Sequence, residues 1–287
     1  MVIQPLDTAD NKLIRHVRRV LSSRQTRDRD GETVVEGARI VQEAVEAGAE
    51  LVSVLYSTRF VSHDRGRSMI AQVMALRARV IYVTDRLLDD ISDVEHHQGI
   101  LAVVRYRIAS RRLLPVPPNG PMLAVVAEAL QDPGNLGSII RSAQAAGVHA
   151  IGVTGGTVDV LNPKTLRASA GSVFRLPVVA LEEGWLDAHR EAGIAVRAAV
   201  VDGGMAYDQV DWTGPCLLVL GNEGRGVDAL TLSRAERVTV PMAPEADSLN
   251  VSVAGAVMLF HAAFRRRQAG VGYFSPAYGP DPLPVSD

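Results

Sequence analysis

Three segments in the second half of this 287-residue chain carry side chains able to do chemistry, and each lies at the end of an apolar run. The first is Asp132-Pro133-Gly134-Asn135-Leu136-Gly137-Ser138-Ile139-Ile140-Arg141. Its Pro and Gly make a turn, Asn135 can cap the helix that follows, and Arg141 lies about one turn inside that helix. The second, Leu220-Gly221-Asn222-Glu223-Gly224-Arg225-Gly226, has three glycines that would let the backbone approach a ligand closely. The third is Val240-Pro241-Met242, followed by Asp247-Ser248-Leu249-Asn250-Val251-Ser252-Val253-Ala254, a short strand leading through a polar loop into a long helix. Taken singly, each also reads as ordinary structure: a capped helix with a surface Arg, a glycine turn, and a capped core helix. Their joint occurrence at strand ends, where open α/β sheets bind ligands, is the informative signal.

Other chemistries lack their usual residues. The glycine segment does not fit G-x-G-x-x-G, and no P-loop occurs, so dinucleotide and nucleoside-triphosphate chemistry lose support. No G-x-S-x-G accompanies a Ser, His and Asp set, which leaves hydrolysis unsupported. Cys216, the single cysteine, lies in the apolar run to Leu220 and reads as a buried thiol rather than a nucleophile. His96-His97 has no second pair of ligands nearby, so no metal is expected, and a turn or RNA contact fits it better. Glu182-Glu183 and Asp89-Asp90 read as solvated termini.

The elements that must position the three segments alternate. Strand candidates at 123–126, 150–153, 178–181, 196–200, 217–220 and 238–240 are separated by helix candidates at 137–146, 164–174, 184–191, 227–234 and 249–266. The fold class is therefore α/β, with a parallel sheet covered on both faces. The first hundred residues form a smaller α/β unit that opens on a basic amphipathic helix, with Leu13, Ile14, Val17, Val20 and Leu21 at helical spacing. From Arg107 to Gly120 periodicity is lost in an Arg- and Pro-rich stretch. The expected organisation is a domain over 1–106, a linker over 107–120, a second domain over 121–269 and an irregular tail over 270–287.

In this order and spacing the three segments resemble the signature motifs of the SpoU (TrmH) branch of the SPOUT RNA 2′-O-ribose methyltransferases. The resemblance extends through Arg167-Ala168-Ser169-Ala170-Gly171-Ser172-Val173-Phe174-Arg175-Leu176-Pro177-Val178, so it spans nearly all of Leu123 to Phe264. Val35-Glu36-Gly37 and Gln98-Gly99-Ile100-Leu101-Ala102-Val103-Val104 resemble the ribosomal-protein-like substrate-binding domain that many members carry. The resemblance implies a deep trefoil knot, S-adenosylmethionine held in it, and a homodimer. It assigns Arg141 to the transferring centre and Asn135, Glu223, Ser248 and Asn250 to orienting roles. Leu220, Gly221, Val240, Met242, Ser248 and Leu249 would contact the cofactor, largely by backbone. Asp247 stands where relatives often have Glu. Length and two-domain plan are similar to antibiotic-resistance 23S rRNA ribose methyltransferases of the avilamycin-resistance type. Transfer RNA is the alternative substrate, base methylation an alternative reaction, and a non-catalytic knotted RNA-binding protein of ribosome assembly the alternative of another class.

Charge points the same way for the first domain. Net charge is −2, yet residues 12–29 hold seven basic side chains and one acid. That field suits a polyanion, although a solvated helix face would show it equally. Arg15, Arg18, Arg19, Arg24 and Arg27 are the expected RNA contacts. The last helix, with Val253, Ala254, Ala256, Val257, Leu259, Phe260 and Phe264, is apolar over most of its surface, as expected if one face meets the core and another a partner subunit. The N-terminus lacks a signal-peptide pattern and no apolar run approaches the ~20 residues that span a bilayer, so a cytoplasmic location without membrane partners is expected.

Overall fold

The structure, a computed structural model, describes residues 4–271 except 77, 95, 118 and 119. The expected tail beyond residue 271, and Pro118 and Asn119 of the expected linker, lie outside the described residues. The chain begins α1 (Lys12–Ser22), α2 (Arg24–Asp30), β1 (Glu32–Glu36), α3 (Ala38–Glu46), β2 (Glu50–Tyr56), α4 (Thr58–Val61), α5 (Asp64–Ala75), β3 (Arg79–Tyr82), α6 (Asp85–Ile91) and β4 (Ile100–Arg105). There follow β5 (Ala109–Arg111), β6 (Leu123–Ala127), α7 (Pro133–Ala145), β7 (Ala150–Val153), α8 (Pro163–Ser169), β8 (Val178–Leu181), α9 (Trp185–Glu191) and β9 (Ala195–Ala199). The last elements are β10 (Met205–Ala206), β11 (Cys216–Leu220), α10 (Ala229–Leu232), β12 (Glu236–Thr239) and α11 (Val251–Gln268). The described residues fall into two compact units: 4–107 with Leu161–Phe174, and 108–160 with 175–271.

In the first unit the strands run β1-β4-β2-β3, with β4 antiparallel to both neighbours and β2 parallel to β3. Helix α1 forms because Asn11 caps it, accepting from the Leu13 N–H, and because Ile14, Val17 and Val20 recur on one face. Those three side chains are fully buried with Val34, Leu55, Leu87 and Leu101, each worth about 1.5–3 kcal/mol. Helix α2 contains no apolar residue, so periodicity could not reveal it; Ser23 caps its start and Gly31, at φ 63°, ends it. The segment 161–174 packs in this unit, although the sequence reading placed it with the second half. The single helix expected over 164–174 stops at Ala170, which is left-handed at φ 50°. A Cβ on Gly171 would lie 2.5 Å from the Glu43 Cβ. Thr33 Oγ1 donates to the Leu161 carbonyl (2.9 Å) and the Tyr106 hydroxyl to the Val173 carbonyl (3.0 Å). Burial pushes the Tyr106 hydroxyl pKa up to about 12.

The second unit is built on an eight-stranded sheet in the order β10-β12-β9-β11-β6-β7-β8-β5, parallel at every pairing. Strands β6 and β11 are central and every residue in them is buried, which explains their unbroken apolar sequences. The chain leaves β6 toward β7 and β8 on one side and returns through β9 and β11 on the other. The C-terminal ends of β6 and β11 therefore flank a topological switch point.

The expected linker is more structured than its composition suggested. Ala109–Arg111 forms edge strand β5, paired with β8, and Leu114 is 1% exposed. His189 of α9 fixes this stretch: its Nδ1–H donates to the Trp185 carbonyl (2.7 Å), and its Nε2 accepts from the Leu114 N–H (3.1 Å). Burial lowers the His189 pKa, consistent with the neutral imidazole this pairing needs.

Candidate active site

The backbone ladder between β6 and β11 continues one step past the strands, where the Glu128 N–H donates to the Leu220 carbonyl (2.8 Å). Beyond it the two chains separate into the first two motif segments. Helix α7 is capped by Asp132, whose Oδ1 accepts from the Asn135 N–H (2.8 Å), with Pro133 in the first turn where a missing N–H costs nothing. This corrects the expectation that Asn135 is the cap.

Released from capping, the Asn135 side chain joins the three segments. Its Nδ2 donates to Glu223 Oε1 (3.0 Å), and its Oδ1 accepts from Asn250 Nδ2 (2.9 Å). Only one orientation of both amides satisfies the set. An ionised Glu223 can only accept, so Asn135 must turn its NH2 toward it and its oxygen toward the Asn250 NH2. Asn250 Oδ1 is then left to cap α11, accepting from the Ser252 N–H (2.9 Å) and the Ser252 hydroxyl (2.6 Å).

Glu223 also accepts from the Gln131 N–H on Oε2 and from the Asp132 N–H on Oε1, each at 3.1 Å. Partial burial pushes its carboxyl upward, but the donors from Asn135, Gln131 and Asp132 outweigh that and hold it below the usual carboxylate range. The carboxylate thus ties the glycine segment to the turn that starts α7.

Two expected site residues stand outside this network. Arg141 is exposed on α7 and Ser248 is exposed in the loop before α11. Among the described residues neither side chain makes a hydrogen bond or ion pair. The Arg141 guanidinium is therefore a cation whose donors are all unspent.

The residues expected around a cofactor divide. Leu220 is fully buried, and its carbonyl accepts one hydrogen bond, from the Glu128 N–H, which leaves its second lone pair. Gly221 is required by the loop itself: a Cβ there would lie 2.3 Å from the Gly226 carbonyl carbon and the Val227 nitrogen. Val240 and Met242 are partly buried, while Ser248 and Leu249 are exposed, Leu249 at 40%. Among the described residues these four make no hydrogen bond. Unspent amides and carbonyls beside accessible apolar side chains suit an adenosine and a thioether chain, so the set fits S-adenosylmethionine.

In the first unit, Arg15, Arg18 and Arg19 occupy the exposed face of α1 and Arg24 is exposed on α2. Arg27 is a correction to the expected RNA contacts. It is 4% exposed, and its Nη1 donates to the carbonyls of Val20 (2.7 Å) and Leu21 (3.1 Å), closing the C-terminal end of α1. Asp89 is exposed, as expected, and also accepts from His97 Nε2 (2.6 Å), a hydrogen bond that lowers its pKa. His97 Nδ1 accepts from the Gly99 N–H (3.0 Å), so the ring shapes a turn.

The sequence reading missed Asp132, Gln131, Glu128 and Asn222. Asp before Pro at a helix start was a readable cap signal. Glu128 carried none: it is 8% exposed and accepts from the Asp228 N–H and the Thr231 hydroxyl, both at 2.7 Å, contacts about a hundred residues away. Gln131 Nε2 donates to the carbonyls of Ala129 (3.0 Å) and Gly156 (2.6 Å).

Residues 122–260 match the SpoU rRNA Methylase family, and residues 11–102 match the MRM3-like substrate binding domain. The chain is 32% identical to the 23S rRNA (uridine(2479)-2′-O)-methyltransferase of Streptomyces viridochromogenes, over 90% of this chain and 92% of that one. It is 28% identical to the 23S rRNA (guanosine(2553)-2′-O)-methyltransferase RlmP of Bacillus subtilis, over 90% and 99%. Among solved structures, the SpoU methyltransferase AviRb from Streptomyces viridochromogenes, in complex with AdoMet, superposes with a TM-score of 0.78 at 31% identity, covering 90% of this chain and all of that one. The AdoMet-bound rRNA methyltransferase from Sinorhizobium meliloti superposes with a TM-score of 0.80 at 29% identity, covering 92% and 98%.

Proposed function

The chain belongs to the SpoU rRNA methylase family, and from that premise we propose that it transfers a methyl group from S-adenosylmethionine to a ribose 2′-hydroxyl of 23S rRNA. The observation that carries the reading is the chain of hydrogen bonds from Asn250 through Asn135 to Glu223. It holds together, at the switch point of the sheet, three segments spaced 88 and 115 residues from one another.

When bound, S-adenosylmethionine supplies an electrophilic methyl on its sulfonium. Val240, Met242, Ser248 and Leu249 would hold it, with Gly221 folding the loop beside them. The attacking oxygen must lose its proton as charge develops on it, so the site needs a positioned cation. Arg141 meets that need. A guanidinium is a poor base and a strong donor, so Arg141 binds the neighbouring phosphate and the emerging oxyanion, and the hydroxyl proton leaves to water. Asn135, Glu223 and Asn250 fix the turn from which α7 and Arg141 project.

The first unit would present RNA to this centre through the exposed Arg15, Arg18, Arg19 and Arg24, and its match to a substrate binding domain supports that role. The same reading includes a trefoil knot and a homodimer. For the homodimer, α11 has a second apolar stripe, Val253, Phe260 and Phe264, each 45–49% exposed and opposite the buried face that carries Gly255, Leu259 and Ala262. A dimer at micromolar concentration by sedimentation is expected, and a persistent monomer would remove that role from α11. Likeness to the Streptomyces enzyme extends the reading to protection against an avilamycin-like antibiotic. Expression in a sensitive host should then raise the inhibitory concentration, and no rise would leave rRNA methylation without a resistance role.

Arg141→Ala tests the assignment. Methyl transfer should fall by roughly 100-fold or more, the scale of losing a transition-state donor, with cofactor affinity within a few fold. Near-normal turnover would remove Arg141 from the mechanism.

A further inference from the structure

Asn222 uses every polar atom it has. Its backbone N–H donates to the Gly226 carbonyl (3.0 Å) and its carbonyl accepts from the Gly226 N–H (2.8 Å), closing the glycine loop. Its Oδ1 accepts from the Gly224 and Arg225 N–H groups, both at 3.0 Å. Its Nδ2 leaves the loop and donates to the Ala129 carbonyl (2.9 Å), 93 positions earlier in the chain.

Ala129 is an unusual anchor. It is a non-glycine residue at φ +54°, a left-handed conformation that costs an L-residue on the order of 1 kcal/mol or more unless its surroundings hold it. That kink lies between the ladder, which ends at Glu128, and Gln131 and Asp132, whose N–H groups meet Glu223. The Gln131 amide reinforces the same carbonyl from within the turn. Two attachments therefore run between the loop and the turn from adjacent residues: Asn222 grips the kink, and Glu223 grips the amides that the kink aims.

We infer that Asn222 is a positioning residue, which fixes the Ala129 kink so that the Gln131 and Asp132 amides, and with them the start of α7, are presented to Glu223. The inference rests on the methyltransferase reading for its link to turnover, but the geometry can be tested without it. It differs from a plain loop-folding role because the two functions use different atoms, Oδ1 for the loop and Nδ2 for the tether.

Asn222→Asp separates them. It keeps an acceptor for Gly224 and Arg225 and replaces the donor with an oxygen facing the Ala129 carbonyl. In hydrogen exchange, the Gln131 and Asp132 amides should exchange at least several-fold faster in Asn222→Asp, with the Gly224 and Arg225 amides unchanged. Unchanged protection at Gln131 and Asp132 would overturn the inference, whatever the chemistry of the protein. If methyl transfer is present, kcat should fall roughly 10- to 100-fold, the scale of a misplaced catalytic element, with KM for S-adenosylmethionine within a few fold. Asn222→Asp and Glu223→Gln should combine to less than the product of their separate effects, since both act by loosening the same turn, the first by releasing the kink that aims its amides and the second by weakening the acceptor that holds them. Multiplicative losses would show independent actions and contradict the inference. Asn222→Ala guards against a folding artefact: it should perturb all four amides, and if it perturbs only Gly224 and Arg225 the tether is absent. Absence of methyl transfer in the wild-type protein would count against the functional reading alone, because the exchange experiment would still decide the tether.

Discussion

Glu223 sets the scale at which single atoms matter. Its two oxygens accept three N–H donors, and Glu223→Gln leaves one oxygen and an NH2 facing them. At least one donor then loses its partner. Hydrogen bonds to charged groups contribute ~1.5–3 kcal/mol, and the exposure of this site places the loss at or below the lower end. Denaturant titration should show a destabilisation of about 1 kcal/mol, together with a fall in turnover of roughly tenfold or more; full activity would mean the turn holds itself. The folded pKa of Glu223 lies below the unfolded value near ~4.3, so the stabilisation is complete above that value and is lost as pH falls through the lower, folded pKa. Carbon NMR of Glu223 should therefore titrate below the ordinary Glu range, and Asn135→Ala should move it upward.

At the scale of elements, the sequence reading did best where one periodicity governs a whole segment. Strands β6 and β11 are legible because both faces are buried, and α1 because a single apolar stripe docks it. It failed where local capping or a distant contact decides. Helix α2 has no apolar residue to show a period. The stretch at 109–114 was read as a linker from its Arg and Pro content, yet β8 and His189 supply partners that no local pattern encodes. Of the site, residue types and order were legible. Which side chain does which task was not, because Asn135 and Asp132 compete for the same cap and only the fold decides. Glycines repeat the lesson. The Cβ of Gly221→Ala would collide with backbone at 2.3 Å, whereas that of Gly255→Ala would meet the end of the Leu220 side chain at 2.6 Å. Gly221→Ala should therefore prevent folding or lower the melting temperature far more than Gly255→Ala, which costs of the order of the ~1–3 kcal/mol of an overpacked core. Equal effects would show that the loop backbone can shift.

At the scale of the whole molecule, charge and pH separate the two units. In the first unit the exposed arginines Arg15, Arg18, Arg19 and Arg24 lie on two short helices, and counterion release ties the number that meets RNA to salt dependence. Replacing Arg15, Arg18 and Arg19 together by Ala should weaken RNA binding and flatten its slope against log salt, while Arg27→Ala should lower stability and leave the slope unchanged. The second unit contains His189, whose folded pKa is depressed below the ordinary value near ~6.5. Its contribution to stability is present above that value and is lost as pH falls below it, because the unfolded state takes up the proton first. Urea titrations of the wild type between pH 8 and pH 5 should show this loss, and His189→Gln should reduce the slope.

Methyl transfer to RNA is the property on which the roles of both units depend, and it can be measured directly. Purified protein is incubated with labelled S-adenosylmethionine and unmodified 23S rRNA, transfer RNA or intact ribosomal subunits, and the RNA is digested to nucleosides. Label should appear in a 2′-O-methylated nucleoside from 23S rRNA or the large subunit, and should be lost in Arg141→Ala. Label on a nucleobase would contradict the assigned reaction. Demonstrated cofactor binding without transfer to any of these RNAs would contradict the assignment of this chain as a 23S rRNA ribose methyltransferase.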